Sequence, residues 1–136
     1  MAPGNVELVR RFVELATVHR DFAAAMELTH RDVEFDWSDS RAPYSGLYRG
    51  SGEIDGAWRA WLEAWDEWKP EIVETIEVDA ETVVFVTKVH AHGKGSGVPV
   101  RAQGASVWTV RDGKIARGKL YQSKAEALAA VSPTTT

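Results

Sequence analysis

The residue with the clearest chemical potential is Asp36, which stands between Phe35 and Trp37 in the segment DVEFDWS. A carboxyl group among apolar rings is poorly solvated, so its pKa rises and it can exchange a proton near neutral pH. This interpretation predicts a general acid or base in an apolar pocket. The alternative is ordinary strand alternation, in which Phe35 and Trp37 point inward and Asp36 points to solvent. An outward Asp36 would exclude the acid/base role.

Candidate partners for Asp36 lie on two long predicted strands, 82–92 and 98–110. Pairing across the GKGSG tip at 93–97 puts Val89 opposite Ala102 and His90 opposite Arg101. One face is then apolar enough to be the interior. Its members are Val83, Phe85, Thr87, Val89, Ala91, Ala102, Gly104, Ser106 and Trp108, with Gly118 of the last strand as a further candidate. The small residues of this face leave either a close helix contact or a cavity, and we expect a cavity because interiors otherwise pack densely.

Metal and cofactor chemistry finds little support in the sequence. His90 and His92 share the opposite face, as metal-binding pairs can, but no third ligand is evident. We interpret them as solvated or as part of a dimer interface. There is no cysteine, which excludes disulfides and a zinc-thiolate site. Since no helix follows the GKGSG tip, it is not a phosphate-binding loop. We expect no metal and no cofactor.

A tryptophan-rich helix is predicted to lie over the apolar face. Trp58, Trp61, Trp65 and Trp68 follow one another at spacings of three, four and three. At 100° per residue these positions share one side of a helix, which Ser51 would cap and Pro70 would end. In the loop 38–52 before this helix, Tyr44 is a candidate to close over a pocket mouth, with simple loop packing as the alternative.

The remaining patterns predict an α+β chain in the order α-α-β-α-β-β-β-β-α. Helical spacing runs from Asn5 to about residue 19 and over 22–29, and a short strand covers 32–38. After Pro70 the period changes to two, which predicts strands at 71–78, 82–92, 98–110 and 115–121. A last Ala-rich helix follows Ser123. We therefore expect a single domain over 1–136, with a core of about 5–131, a disordered tail at 132–136, and helices on one face of an antiparallel sheet.

Length and charge narrow the functional classes. A chain of 136 residues can bury a real core, and its net charge of −4 with scattered basic residues argues against general nucleic-acid binding. No apolar run approaches the roughly 18 residues of a membrane span, and the first residues lack a signal-peptide core. We expect neither a nucleic-acid nor a membrane partner, and a cytoplasmic location fits.

Several segments resemble the SnoaL-like branch of the nuclear-transport-factor-2-like superfamily, over roughly residues 5–131. They are DVEFDWS, GLYRG, AWRAWLEAW, GKGSGVPV, VWTVRDGKI and LYQSKAEALAAV. The resemblance implies a curved, mixed sheet that forms a cone against three helices, with a short C-terminal helix. It also implies a pocket at the open end and a homodimer through the convex face. Fold alone does not assign an activity in this superfamily.

Relatives in this superfamily include ketosteroid isomerase, polyketide cyclases and dehydratases. Laid on the isomerase, Asp36 matches the proton-transferring Asp, whereas the oxyanion-hole Tyr falls near Phe12 and the second Asp near Ser106. Since oxyanion stabilisation is a large share of such catalysis, a true ketosteroid isomerase is not expected.

The leading hypothesis is a protein that binds a small apolar molecule in the cone and catalyses a cofactor-independent proton transfer. A non-catalytic binding module and a dimeric interaction protein with a filled cone are the alternatives. The predicted catalytic residues are Asp36 and Ser106, and the predicted ligand-binding residues are Trp37, Tyr44, Trp58, Trp61, Phe85, Gly104 and Trp108.

Overall fold

The structure, a computed structural model, describes residues 2–37, 47–63, 65–93 and 99–131. Its order of helices and strands is α1 (Ala2–Thr17), α2 (Phe22–Met26), β1 (Thr29–Asp36), β2 (Leu47–Arg49), α3 (Gly50–Glu63), β3 (Trp65–Glu77), β4 (Thr82–Gly93), β5 (Pro99–Arg111), β6 (Lys114–Tyr121) and α4 (Lys124–Val131). The six strands form one curved, unclosed sheet in the order β2-β1-β6-β5-β4-β3. Because β1 and β6 run parallel and the other pairs antiparallel, the sheet is mixed and the predicted α+β class is confirmed.

The main core lies on the sheet face that packs against α1, α2 and α3, which we call the inner face. Val9 and Phe12 of α1 and Ile54 of α3 are fully buried there. The sheet contributes Val33, Phe35, Val83, Phe85 and Trp108 to the same cluster. Alternate residues of each strand point to the opposite side, the outer face.

The predicted register of the long hairpin is confirmed. Val89 pairs with Ala102 and His90 with Arg101 across β4 and β5. The Asp-Gly signal between β5 and β6 is also confirmed, since Asp112 and Gly113 have φ angles of 52° and 76°. Two positive φ values in succession are what a tight two-residue hairpin turn requires.

The tryptophan helix is shorter than predicted, and this prediction was wrong for its second half. Helix α3 ends at Glu63, and Trp65 and Trp68 belong to β3. Pro70 lies inside β3, opposite Val89, rather than at a helix end. An edge strand tolerates proline because no neighbouring strand needs its missing N–H, and proline holds the preceding residue in an extended conformation.

The expectation that all helices pack on one face was also wrong. Helix α4 covers part of the outer face, where Ala127 packs with Val84, Ala105 and Val107. These strand residues alternate with inner-face apolar residues, so this end of the sheet is apolar on both sides and needs cover on both. The predicted cap is confirmed, because the Glu126 N–H donates to Ser123 Oγ at 3.2 Å.

Other boundaries differ by a few residues. Helix α1 begins at Ala2, before Asn5. The proline near its start does not interrupt it, because a proline is tolerated in the first turn of a helix. Helix α2 ends at Met26, since Thr29 pairs with Ile115 and starts β1. Part of the predicted loop 38–52 forms β2 and the start of α3. Its residues 38–46, with Tyr44, and the tail at 132–136 lie outside the described residues.

Candidate functional site

The centre of the inner face is a set of five aromatic side chains, Phe12, Phe35, Trp37, Trp58 and Trp108, which we call the aromatic cluster. Phe35 lies at its middle, with its ring centroid 5.5 Å from that of Phe12 and 5.6 Å from that of Trp108. The Trp58 ring of α3 lies 5.2 Å from Trp37. Edge-to-face and tilted contacts of this kind are favourable beyond the buried area. The cluster therefore holds α1 and α3 against the sheet at a fixed distance.

Trp108 is fixed by a hydrogen bond and by a glycine. Its indole Nε1 donates to Ser106 Oγ at 2.7 Å, and both residues are buried. Gly118 lies opposite Trp108 on β6, and a Cβ at Gly118 would approach Trp108 Cζ3 to 2.8 Å. The indole of Trp108 thus occupies the space beside Gly118. At this position the small residue allows a close contact and does not leave a cavity.

Gly104 likewise allows a close approach. A Cβ there would lie 3.2 Å from the carbonyl oxygen of Tyr121, which belongs to the neighbouring strand β6. The absence of a side chain lets the backbones of the two strands approach closely at this point. At this position too, the structure shows the close-contact alternative, since strand backbone occupies the space beside the glycine.

Beyond the aromatic cluster, the inner face becomes partly exposed. We call this region the open end and define it by Ile72, Thr87, Val89, Gly104 and Leu120. All five are half-buried, and strand pairing puts them on the same face as the fully buried Phe85. Ile72 and Leu120 pack against the core from this side. The open end is therefore the partly exposed and mainly apolar part of the inner face.

Asp36 lies on the outer face, in the alternation that buries its neighbours Phe35 and Trp37 on the inner face. Its Oδ2 is 3.3 Å from an Arg117 guanidinium nitrogen and 3.4 Å from Lys119 Nζ. Only 13% of the Asp36 side chain and 19% of the Lys119 side chain are exposed. Two cations at these distances stabilise the ionised carboxylate. This is not the apolar pocket on which the acid/base prediction depended.

The two predicted catalytic residues are not brought together. Asp36 is paired with Lys119 on the outer face, whereas Ser106 is on the inner face beside Trp108. The sheet itself separates them. The placement gives the predicted proton transfer no geometric support.

The predicted ligand-binding residues differ in how deeply they are buried. Trp37, Phe85 and Trp108 are buried, so they form the floor of the inner face, whereas Trp58 is half-buried. Trp61 is in α3, but its side chain, like all of Tyr44, lies outside what the structure describes.

An ion-pair network surrounds Asp36, and the sequence reasoning missed it. Glu34 accepts from Arg117 Nε and from Arg49 Nε, each at 3.1 Å, which joins β1, β6 and β2. The alternation of Arg117 and Lys119 was visible in the sequence, but the parallel pairing of β1 with β6 was not. A cavity of about 390 Å³ beside the network is lined by Asp32, Glu34, Arg49 and Gly50. Because its lining is charged, it is not the apolar pocket that was predicted.

His90 contacts the neighbouring strand, since its Nε2 lies 3.3 Å from Glu71 Oε1 on β3. Within the described ranges, no group of three or more His, Asp or Glu side chains is placed to hold a metal ion.

No helix in that same part of the chain is long and apolar enough to cross a membrane.

We expect Asp36→Asn to lower the free energy of unfolding by about 1–2 kcal/mol, between the values for exposed and buried ion pairs. The amide leaves Lys119 and Arg117 without their countercharge in a largely covered position. Urea denaturation of both proteins measures the difference. Asp32→Asn is the matched control, because Asp32 is exposed on the same strand. Equal stability of Asp36→Asn and wild type would contradict a structural role for this carboxylate.

Comparison with solved structures supports the fold at low sequence identity. An NTF2-like protein of unknown function from Burkholderia pseudomallei is 20% identical, with a TM-score of 0.77 over 96% of this chain and 98% of that one. An NTF2-like protein from Burkholderia thailandensis is 23% identical, with a TM-score of 0.73 over 98% and 99% of the two chains. A hypothetical protein with a ketosteroid isomerase-like fold from Catenulispora acidiphila, in complex with trimethylamine, is 18% identical, with a TM-score of 0.74 over 90% of each chain.

None of the curated proteins matches the sequence. At these identities the solved structures establish a shared fold only. The family model described as the SnoaL-like domain matches residues 9–118, which is most of the chain. The curved mixed sheet, the helices on its inner face and this match agree, and the chain belongs to the SnoaL-like domain family.

Proposed function

We propose that the protein binds a small apolar molecule at the open end of the inner face. The observation that carries this proposal is the change in burial along that face. Phe85 is fully buried, whereas Val89, four residues further along the same strand and on the same side, is half-buried. Apolar surface that continues past the core without full cover is typical of a ligand-binding concavity.

The chemistry of the open end favours an apolar ligand. Ile72, Val89 and Leu120 supply aliphatic surface, and Thr87 is its one hydroxyl side chain, donating to the Gly104 carbonyl oxygen at 3.4 Å. None of the residues that define the open end is ionisable. A charged ligand would lose its hydration there without gaining a countercharge from them.

Binding, rather than proton transfer, is the function that this geometry supports best. The carboxylate predicted as acid or base lies on the outer face with Arg117 and Lys119. The homodimer through the convex face stays a prediction of the family resemblance.

The proposal is tested with two tryptophan substitutions on one strand. Val89→Trp places a large side chain in the open end, whereas Lys88→Trp places it on the exposed outer side. Isothermal titration calorimetry with a set of uncharged one- to three-ring compounds identifies those that bind the wild type. We expect Val89→Trp to weaken their binding by about tenfold or more, which corresponds to at least about 1.4 kcal/mol.

Lys88→Trp is expected to bind the same compounds as the wild type does. An equal effect of both substitutions would place the ligand elsewhere. Failure of every compound to bind the wild type would contradict the proposed function and would favour a cone that serves only as a structural core.

A further inference from the structure

Trp58 carries a buried hydrogen-bond donor that has no partner among the described residues. Its indole Nε1 is buried, and no acceptor for it lies among the residues that the structure describes. Trp108 provides the contrast, because its Nε1 donates to Ser106 Oγ at 2.7 Å. Native proteins pair the great majority of buried polar groups, so an unpaired one calls for an explanation.

The aromatic rings that the structure describes around Trp58 supply no acceptor. Its ring contacts Phe12, Phe35 and Trp37 with centroid separations of 6.1, 5.9 and 5.2 Å. Phenyl rings offer no oxygen to an N–H donor, and an indole is a donor only. Trp58 is nevertheless half-buried as a residue, so part of it remains accessible to solvent.

We propose that the Trp58 N–H donates to an oxygen of the bound molecule, and that the ligand is therefore an apolar compound carrying a carbonyl or ether oxygen. This inference rests on the proposed function and specifies its chemical class. Burial keeps water from Nε1, so a hydrogen bond to the ligand replaces no protein–water hydrogen bond. The side chains over Nε1 must shift for the oxygen to reach it, and relief of the unpaired donor favours that shift.

A matched pair of compounds tests the inference. Indane and 1-indanone share one ring skeleton and differ by a carbonyl oxygen, and calorimetry measures their dissociation constants. We expect wild type to prefer 1-indanone by about tenfold, after correction for the difference in aqueous solubility. Trp58→Phe keeps an aromatic ring and removes the donor, so the ratio of the two dissociation constants measured in this variant should show no preference for 1-indanone.

A second measurement works on the wild-type protein alone. In a ¹⁵N–¹H spectrum, the Trp58 indole signal should move downfield with 1-indanone and not with indane, because only the ketone accepts a hydrogen bond. This readout stands even where Trp58→Phe does not fold, since the signal is assigned through bonds.

The outcomes separate the two proposals. Equal affinity for both compounds, or an unmoved Trp58 indole signal with 1-indanone bound, would overturn the donor role and leave apolar binding intact. Binding of neither compound would count against the proposed function itself.

Discussion

Replacing Phe35 with alanine is expected to lower the free energy of unfolding by about 3–5 kcal/mol, the largest effect of any substitution considered. The side chain is 1% exposed, and its ring meets four other aromatic rings. Removing it leaves a cavity where α1, α3 and the sheet come together, and stiff neighbouring rings cannot collapse to fill that space. Guanidinium denaturation followed by circular dichroism measures the loss.

Leu47→Ala is the control for this substitution. Leu47 is 48% exposed on β2, where it pairs with Asp36 on the outer face. We expect a change within about 0.5 kcal/mol, as for most exposed positions. Comparable losses for Phe35→Ala and Leu47→Ala would show that the aromatic cluster is not the centre of stability.

Gly118→Ala should destabilise the protein by about 1–3 kcal/mol, although it adds a single methyl group. The new Cβ would meet Trp108 at 2.8 and 2.9 Å, and Trp108 is buried and bonded to Ser106. The indole must move, which disturbs its hydrogen bond and its contacts with Phe12 and Phe35. Denaturation gives the energy, and near-ultraviolet circular dichroism reports the displaced tryptophan.

Gly56→Ala serves as the matched control because it adds the same methyl group in α3, where nothing lies within 4 Å. An alanine inside a helix is more favourable than a glycine by about 0.5–1 kcal/mol, so this variant should be more stable than wild type. A Gly118→Ala protein as stable as wild type, with an unchanged near-ultraviolet spectrum, would contradict the close packing of Trp108.

The register of β4 with β5 and the turn between β5 and β6 were predictable because their signals are local. The alternation of apolar residues in β4 and β5 determines which face of each strand is buried. The Asp112-Gly113 turn determines where the chain reverses direction. The observed pairing of Val89 with Ala102 follows from them. The cap of α4 at Ser123 is equally local.

The tryptophan stripe was misread because spacing alone does not distinguish a helix from a strand with irregular pairing. Trp65 and Trp68 lie in β3, whose register with β4 shifts between Trp65 and Glu67. The long ladder with β4 outweighs the local helical pattern beyond Glu63. The stripe therefore spans two different elements, α3 and β3.

For the candidate site, the sequence left the side of Asp36 open, and its orientation depends on tertiary contacts. The parallel pairing of β1 with β6 brings Arg117 and Lys119 beside Asp36, although about eighty residues separate them in the chain. Neither local propensity nor periodicity determines such a long-range pairing. Likewise, the unpaired donor of Trp58 is visible only once its neighbours are in place.

The central claim, that an apolar molecule binds the open end, is tested most directly by methyl ¹³C–¹H spectra recorded with the tightest-binding ring compound. We expect shifts for Ile72, Val89 and Leu120 on the inner face and unmoved signals for Val84 and Val107 on the outer face. Each of these methyl groups lies on one side of the sheet, so a shift of its signal shows on which side the compound binds. Shifts confined to Val84 and Val107, or no shifts at all, would contradict it.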